Sequence, residues 1–184
     1  HLHNDAPDLK PQEKIMEPRS IPLYLDDIQV GLRFTTGAHR VDQTQIIDFA
    51  HTFDPQPFHI DPDAAQTSVF EGLAASGWHT AAITMRLLVR DGVPLAGGIV
   101  GARTELTWPR PTRPGDALRV VSEVVAVTPS RSQPDRGTVT LRSETLNQND
   151  QVVQVQVATL RVPRRSDAPA ETPASESGKS GGAA

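Results

Sequence analysis

From residue 98 to residue 163 apolar and polar positions alternate with a period of two. The stretches 98–109, 117–128, 136–147 and 151–163 therefore read as strands. Val153, Val155 and Val157 alternate with Gln154 and Gln156, the mark of a half-buried strand. Turn residues separate the runs, at Pro111-Thr112-Arg113-Pro114-Gly115-Asp116 and at Asn147-Gln148-Asn149-Asp150. Upstream, a first strand is expected from Gly31 through Thr36 to about Val41. The period then lengthens to that of a helix. Asp42 can cap a helix with Gln45 completing a capping box, and Ile46, Phe49, Ala50 and Phe53 recur on one face. Asp61-Pro62 opens a short helix to Thr67, with Asp61 as cap and proline at the first helical position. A third helix runs from Trp78 to Arg90, nearly apolar on several sides and stopped by Asp91-Gly92, so it is expected to be buried. One long helix wrapped by a curved antiparallel sheet, an α+β fold, is what this order suggests.

Composition confines this pattern to the middle of the chain. Residues 1–20 are polar, rich in proline and without periodicity, and read as a flexible N-terminal arm; residues 164–184 have the composition of a disordered tail. A single domain over 21–163 is the expectation for a chain of 184 residues with no internal repeat. Eighteen basic against twenty-two acidic residues give a net charge of −4 with no basic block, so no nucleic-acid footprint is present. The absence of cysteine excludes disulfides and thiol chemistry. No apolar run approaches a membrane span and no signal peptide is visible, so no membrane partner is expected.

Chemistry concentrates in Phe53-Asp54-Pro55-Gln56-Pro57-Phe58-His59-Ile60-Asp61. The two prolines are expected to forbid a regular helix and to hold Asp54 and His59 on a stiff connector, anchored by Phe53, Phe58 and Ile60. A carboxylate and an imidazole so held can share acid and base work. The plain alternative is that Asp54 caps local amides and His59 is a packed loop residue. A second motif, Ser76-Gly77-Trp78, heads the long helix, where unpaired amides and the helix dipole can receive negative charge. There the alternative is a glycine needed only for close packing, and Ser76 reads as an N-cap. His79 reads as a satisfied core histidine and His51 as a helix-surface residue. His51, Asp54, His59 and Asp61 lack a recognisable metal-ligand arrangement, so no metal is expected.

The nine-residue segment at 53–61, with Gly72-Leu73-Ala74-Ala75-Ser76-Gly77-Trp78-His79-Thr80, resembles the MaoC-like dehydratases, relatives of the R-specific enoyl-CoA hydratases. Their motif reads roughly Asp-x-Asn-Pro-x-His-x-Asp, and Gln56 stands where the family usually has Asn. The resemblance covers about residues 21–163, including Tyr24-Leu25-Asp26-Asp27-Ile28 and the Pro114-Gly115-Asp116 turn. It implies a hotdog fold and a cytoplasmic hydro-lyase of fatty acid metabolism. That activity is the reversible hydration of a trans-2-enoyl-CoA, or carrier-bound enoyl thioester, to an R-3-hydroxyacyl thioester. It further implies Asp54 and His59 as the groups that activate water, and the amide of Gly77 as donor to the thioester oxygen. CoA enters as part of the substrate, with no separate cofactor. Arg103, Arg110, Arg113, Arg131 and Arg136 are candidates to meet CoA phosphates, with solvated surface charge the default for each. Trp108 either flanks the acyl or pantetheine tunnel or caps the core. A homodimer, or a higher homo-oligomer, formed by edge-to-edge sheet pairing is expected. Two rivals stand beside this reading. A hotdog thioesterase needs a carboxylate on or near the long helix, and residues 77–90 hold none; a non-catalytic acyl-CoA-binding subunit is given room by Gln56.

Overall fold

Six antiparallel strands and four helices build the fold in the computed structural model, which describes residues 21–165. The expectations for residues 1–20 and for the chain beyond 165 lie outside the described residues. Strands β1 (Arg33–Thr35) and β2 (His39–Arg40) are followed by helices α1 (Gln43–Phe53), α2 (Pro57–Ile60), α3 (Pro62–Gln66) and α4 (Gly77–Asp91). Strands β3 (Val100–Thr107), β4 (Ala117–Pro129), β5 (Arg136–Leu146) and β6 (Val152–Pro163) complete the chain. The sheet runs β1-β4-β5-β6-β3, with β2 also paired to β4, and every pairing is antiparallel.

The period-two stretches became strands within a few residues of their expected limits. The expected first strand, in contrast, is split. Thr36 turns its hydroxyl into the ladder, accepting from Val120 N at 3.0 Å and donating to Gly37 O at 2.7 Å, so a side chain takes the place of a main-chain carbonyl. Strand β6 is half-buried as expected, and the face turned inward is the glutamine one. Gln154 is fully buried and Gln156 nearly so, together with Ala158, Leu160 and Val162, after a register shift beside Leu146. Gln154 is accommodated by accepting from Trp108 Nε1 at 2.8 Å and donating to Thr84 Oγ1 at 3.1 Å.

Helix α4 lies against the sheet through Ile83, Leu87 and Leu88, which pack with Leu118, Val120 and Val153. Burying each such aliphatic side chain contributes about 1.5–3 kcal/mol, enough to seat the helix. A polar ladder fixes its height: Thr84 Oγ1 is 2.6 Å from Thr145 Oγ1, and Thr80 Oγ1 donates to Thr112 Oγ1 at 2.9 Å. The opposite face is not buried, contrary to expectation, because no element among the described residues crosses it. Trp78, Met85 and Val89 are 61%, 40% and 68% exposed. No helix is long and apolar enough to cross a membrane among the described residues.

Candidate functional site

Asp42 starts α1 by accepting from Gln45 N at 2.8 Å, but the reciprocal half of the capping box is absent, since the Gln45 side chain meets His39 Nε2 at 3.3 Å. The helix ends at Phe53, and Asp54 is its C-cap, its own N–H bonded to Ala50 O. Phe53 packs on Phe49 at 5.0 Å between centroids but is 70% exposed, so it is no anchor. Residues 57–60 are not an irregular connector. Pro57 occupies the first position of the one-turn helix α2, where its missing N–H costs nothing, and His59 sits on that turn. Asp61 then caps α3, accepting from Asp63 N and Ala64 N.

These elements bring Asp54 and His59 together: Asp54 Oδ2 lies 3.4 Å from His59 Nε2. The imidazole is buried, and its Nδ1 is 2.7 Å from Ala74 O, an atom that can only accept. Nδ1 therefore carries a proton, and in the neutral ring Nε2 is an acceptor turned toward Asp54. Asp54 is held on both oxygens. Ser76 Oγ donates to Oδ2 at 2.6 Å, and Gln56 Nε2 donates to Oδ1 at 2.6 Å. Burial pushes the carboxyl up, but the bonds from Ser76 and Gln56 and the nearby His59 outweigh it and hold Asp54 below the ordinary value of 3.8. It is a carboxylate at neutral pH.

Ser76 makes a contact in the candidate site that sequence reasoning missed. It does cap α4, accepting from Trp78 N at 3.2 Å, and the same hydroxyl reaches Asp54 across 22 residues. No spacing rule announces such a contact; the only signal was a serine directly before the glycine of interest. Gln56, which stands where the family usually has Asn, still reaches Asp54 with its amide across the extra methylene.

A cleft of about 630 Å³ opens at His59, which lines it together with Gly77, Thr80, Trp108, Arg110 and Arg113 among others. Gly77 is the first residue of α4, and its N–H has no acceptor among the described residues. Trp108 closes over it: a Cβ at position 77 would lie 2.8 Å from the indole Cε2. Close packing on Trp108 thus restricts position 77 to glycine, and the same residue lines the cleft. Trp108 is a cleft wall. Of the candidate arginines, Arg110 and Arg113 reach the cleft, Arg103 lies on the exposed strand β3, and Arg136 pairs with Asp135. His79 is buried against α1, stacked on Phe49 with ring centroids 4.6 Å apart, but its Nδ1 has no partner among the described residues, so it is a core histidine and not a satisfied one. Burial, with His39 nearby, lowers its pKa to about 4. His51 is exposed on α1. No group of three or more His, Asp or Glu side chains that could hold a metal ion occurs among the described residues.

This geometry can be set beside known proteins. The family model described as MaoC like domain matches residues 18–147. An uncharacterised protein of Bacillus subtilis, YdeM, is 34% identical over 131 residues, 70% of this chain and 90% of its own. A solved structure described as the MaoC-like dehydratase from Rhodospirillum rubrum is 60% identical and superposes with a TM-score of 0.77, covering 78% of this chain and 99% of that one. The unliganded R-hydratase from Pseudomonas aeruginosa shares the fold at 22% identity, with a TM-score of 0.62 over 84% of this chain and 96% of that one. The strand order, the long helix seated on the sheet and the Asp54-to-Thr80 segment thus meet in one conclusion: this chain belongs to the MaoC-like dehydratase family, with its hotdog fold.

Proposed function

We propose that the protein is a hydro-lyase that reversibly hydrates a trans-2-enoyl thioester, on CoA or a carrier protein, to the R-3-hydroxyacyl thioester. The observation that carries this is the pairing of two hydrogen-bond acceptors, Asp54 Oδ2 and His59 Nε2, 3.4 Å apart, with His59 lining a cleft that Gly77 also lines. A water donating one O–H to each acceptor has its lone pair left for attack. As its oxygen bonds to the β-carbon, one proton stays on the Asp54–His59 pair and the π electrons move toward the thioester oxygen. The Gly77 N–H, at the positive end of α4, takes the enolate charge. The retained proton then passes to the α-carbon on the same face, and the pair returns to its starting state. No cofactor is needed on this reading; CoA arrives within the substrate. The name of the 60% identical relative, a dehydratase, supports the same reaction class.

The active unit on this reading is a homodimer. Strand β3 is a sheet edge exposed along nearly its whole length, and Met85 of the uncovered α4 face lies beside Gly101 and Thr104 of that strand. A second copy pairing edge to edge along β3 would bury Trp78, Met85, Val89 and Val100 together. Sedimentation should give twice the chain mass, and a monomer at micromolar concentration would refute the dimer.

The activity is tested with crotonyl-CoA. Loss of the enoyl absorbance with formation of R-3-hydroxybutyryl-CoA is expected. Release of free thiol instead would make the protein a thioesterase, and CoA binding without either signal would make it a binding subunit.

A further inference from the structure

Between Phe70 and Leu73 the backbone takes an unusual course. Glu71 has φ +52 and Gly72 φ +144, so a side-chain-bearing residue and a glycine in succession adopt conformations that L residues avoid. The result is that three carbonyl oxygens, those of Phe70, Gly72 and Leu73, point at one place. Converging carbonyls repel one another unless a donor sits among them, and the guanidinium of Arg113 does. Its Nη1 donates to Gly72 O at 2.9 Å and Leu73 O at 3.2 Å, and its Nη2 donates to Phe70 O. Arg113 is itself fixed. Its N–H is bonded to Asp116 Oδ2 at 2.8 Å, and buried Asp116 also accepts from Gln148 Nε2 at 3.0 Å.

The residue that follows this cage is Ala74, whose carbonyl holds His59 Nδ1. On its far side Ala75 N donates to Thr112 O at 2.9 Å, and Thr112 Oγ1 accepts from Thr80. The dipeptide 112–113 thus grips the chain immediately before and immediately after Ala74. We propose that Arg113 is a positioning residue for the site: by gathering the three carbonyls it sets Ala74 O beneath His59, so that Nδ1 keeps its proton and Nε2 stays open toward water. Its direct partners are backbone atoms, so it acts through Ala74 and not on the reacting atoms. The catalytic consequence rests on the hydratase reading above; the ring orientation does not.

The two are separable by experiment. Arg113→Lys keeps the charge but cannot span three acceptors in a plane, and Arg113→Ala leaves a gap that free guanidinium can enter. On crotonyl-CoA, kcat should fall about tenfold to a hundredfold with KM within about threefold, and millimolar guanidinium should restore part of kcat in Arg113→Ala. A raised KM with unchanged kcat would instead make Arg113 a contact for the anionic substrate and overturn the proposal. Independently of turnover, imidazole nitrogen NMR of the free protein, with His59 assigned by its loss in His59→Asn, should show a single Nδ1–H tautomer in the parent. In Arg113→Lys it should show a mixture. An unchanged His59 signal in that folded variant overturns the proposal even where no enoyl-CoA turnover is found.

Discussion

Replacing Ser76 by Ala separates the two duties that one buried hydroxyl performs. The change deletes the 2.6 Å bond to Asp54 Oδ2 and the 3.2 Å bond from Trp78 N, both made by a serine that is itself fully buried. A hydrogen bond to a charged group contributes about 1.5–3 kcal/mol, which corresponds to about tenfold to 150-fold in kcat/KM if it is needed to hold the carboxylate in place. Loss of the N-cap should cost about 1 kcal/mol of stability, a fall of about 4 °C in Tm. Ser76→Gly is the discriminating control, because glycine at an N-cap costs only a few tenths of a kcal/mol while also lacking the donor. Both variants should lose activity on crotonyl-CoA to the same extent, and Gly should keep more of its stability. The sign of the pH effect follows from the charge: removing a donor to the ionised form raises the Asp54 pKa, so the acid limb of kcat/KM moves to higher pH. If both variants stay within about threefold of the parent in kcat/KM while Ala alone loses Tm, the hydroxyl is only a cap and the link to Asp54 has no catalytic weight.

Gly77→Ala should destabilise the fold by about 1–3 kcal/mol, because its Cβ drives into Trp108. In the double variant with Trp108→Ala the two costs should be less than additive, whereas strict additivity in urea melts would mean that the indole does not rest on residue 77. His79 predicts an acid sensitivity. Its folded pKa of about 4 lies below the ordinary 6.5, so its contribution is full above 6.5 and is lost as pH falls toward 4. The loss between about pH 7.5 and pH 5 is about 2 kcal/mol, which His79→Phe should remove; an identical pH slope in both proteins would contradict this.

What could be read from the sequence was what local chemistry decides. Period-two alternation placed β3 to β6, and Asp42, Asp61 and Ser76 marked helix starts because a cap is a contact between near neighbours. That Asp54 and His59 meet was within reach because they lie on one short segment, while their proposed roles came from the family resemblance and not from spacing. What could not be read were contacts across the fold: Ser76 on Asp54, Arg113 on the carbonyls of Phe70, Gly72 and Leu73, and Gln154 under Trp108. The inward glutamines of β6 show the same limit. Alternation says that a strand has two faces, while the choice between them was made by Ala158, Leu160 and Val162 further along and by hydrogen bonds to residues more than forty positions away. Pro57 misled for a related reason, since a proline that breaks a helix interior is well suited to begin one.

The central claim is that Asp54 and His59 act as one unit on a shared water. The most direct test is the kcat/KM on crotonyl-CoA of Asp54→Asn, His59→Ala and the double variant, each checked for an unchanged thermal transition. Each single change should cost at least about a thousandfold, and the double should lose no more than the worse single, since a water with one acceptor missing is no longer held. Losses that multiply in the double variant, or single variants within about tenfold of the parent, would contradict the account.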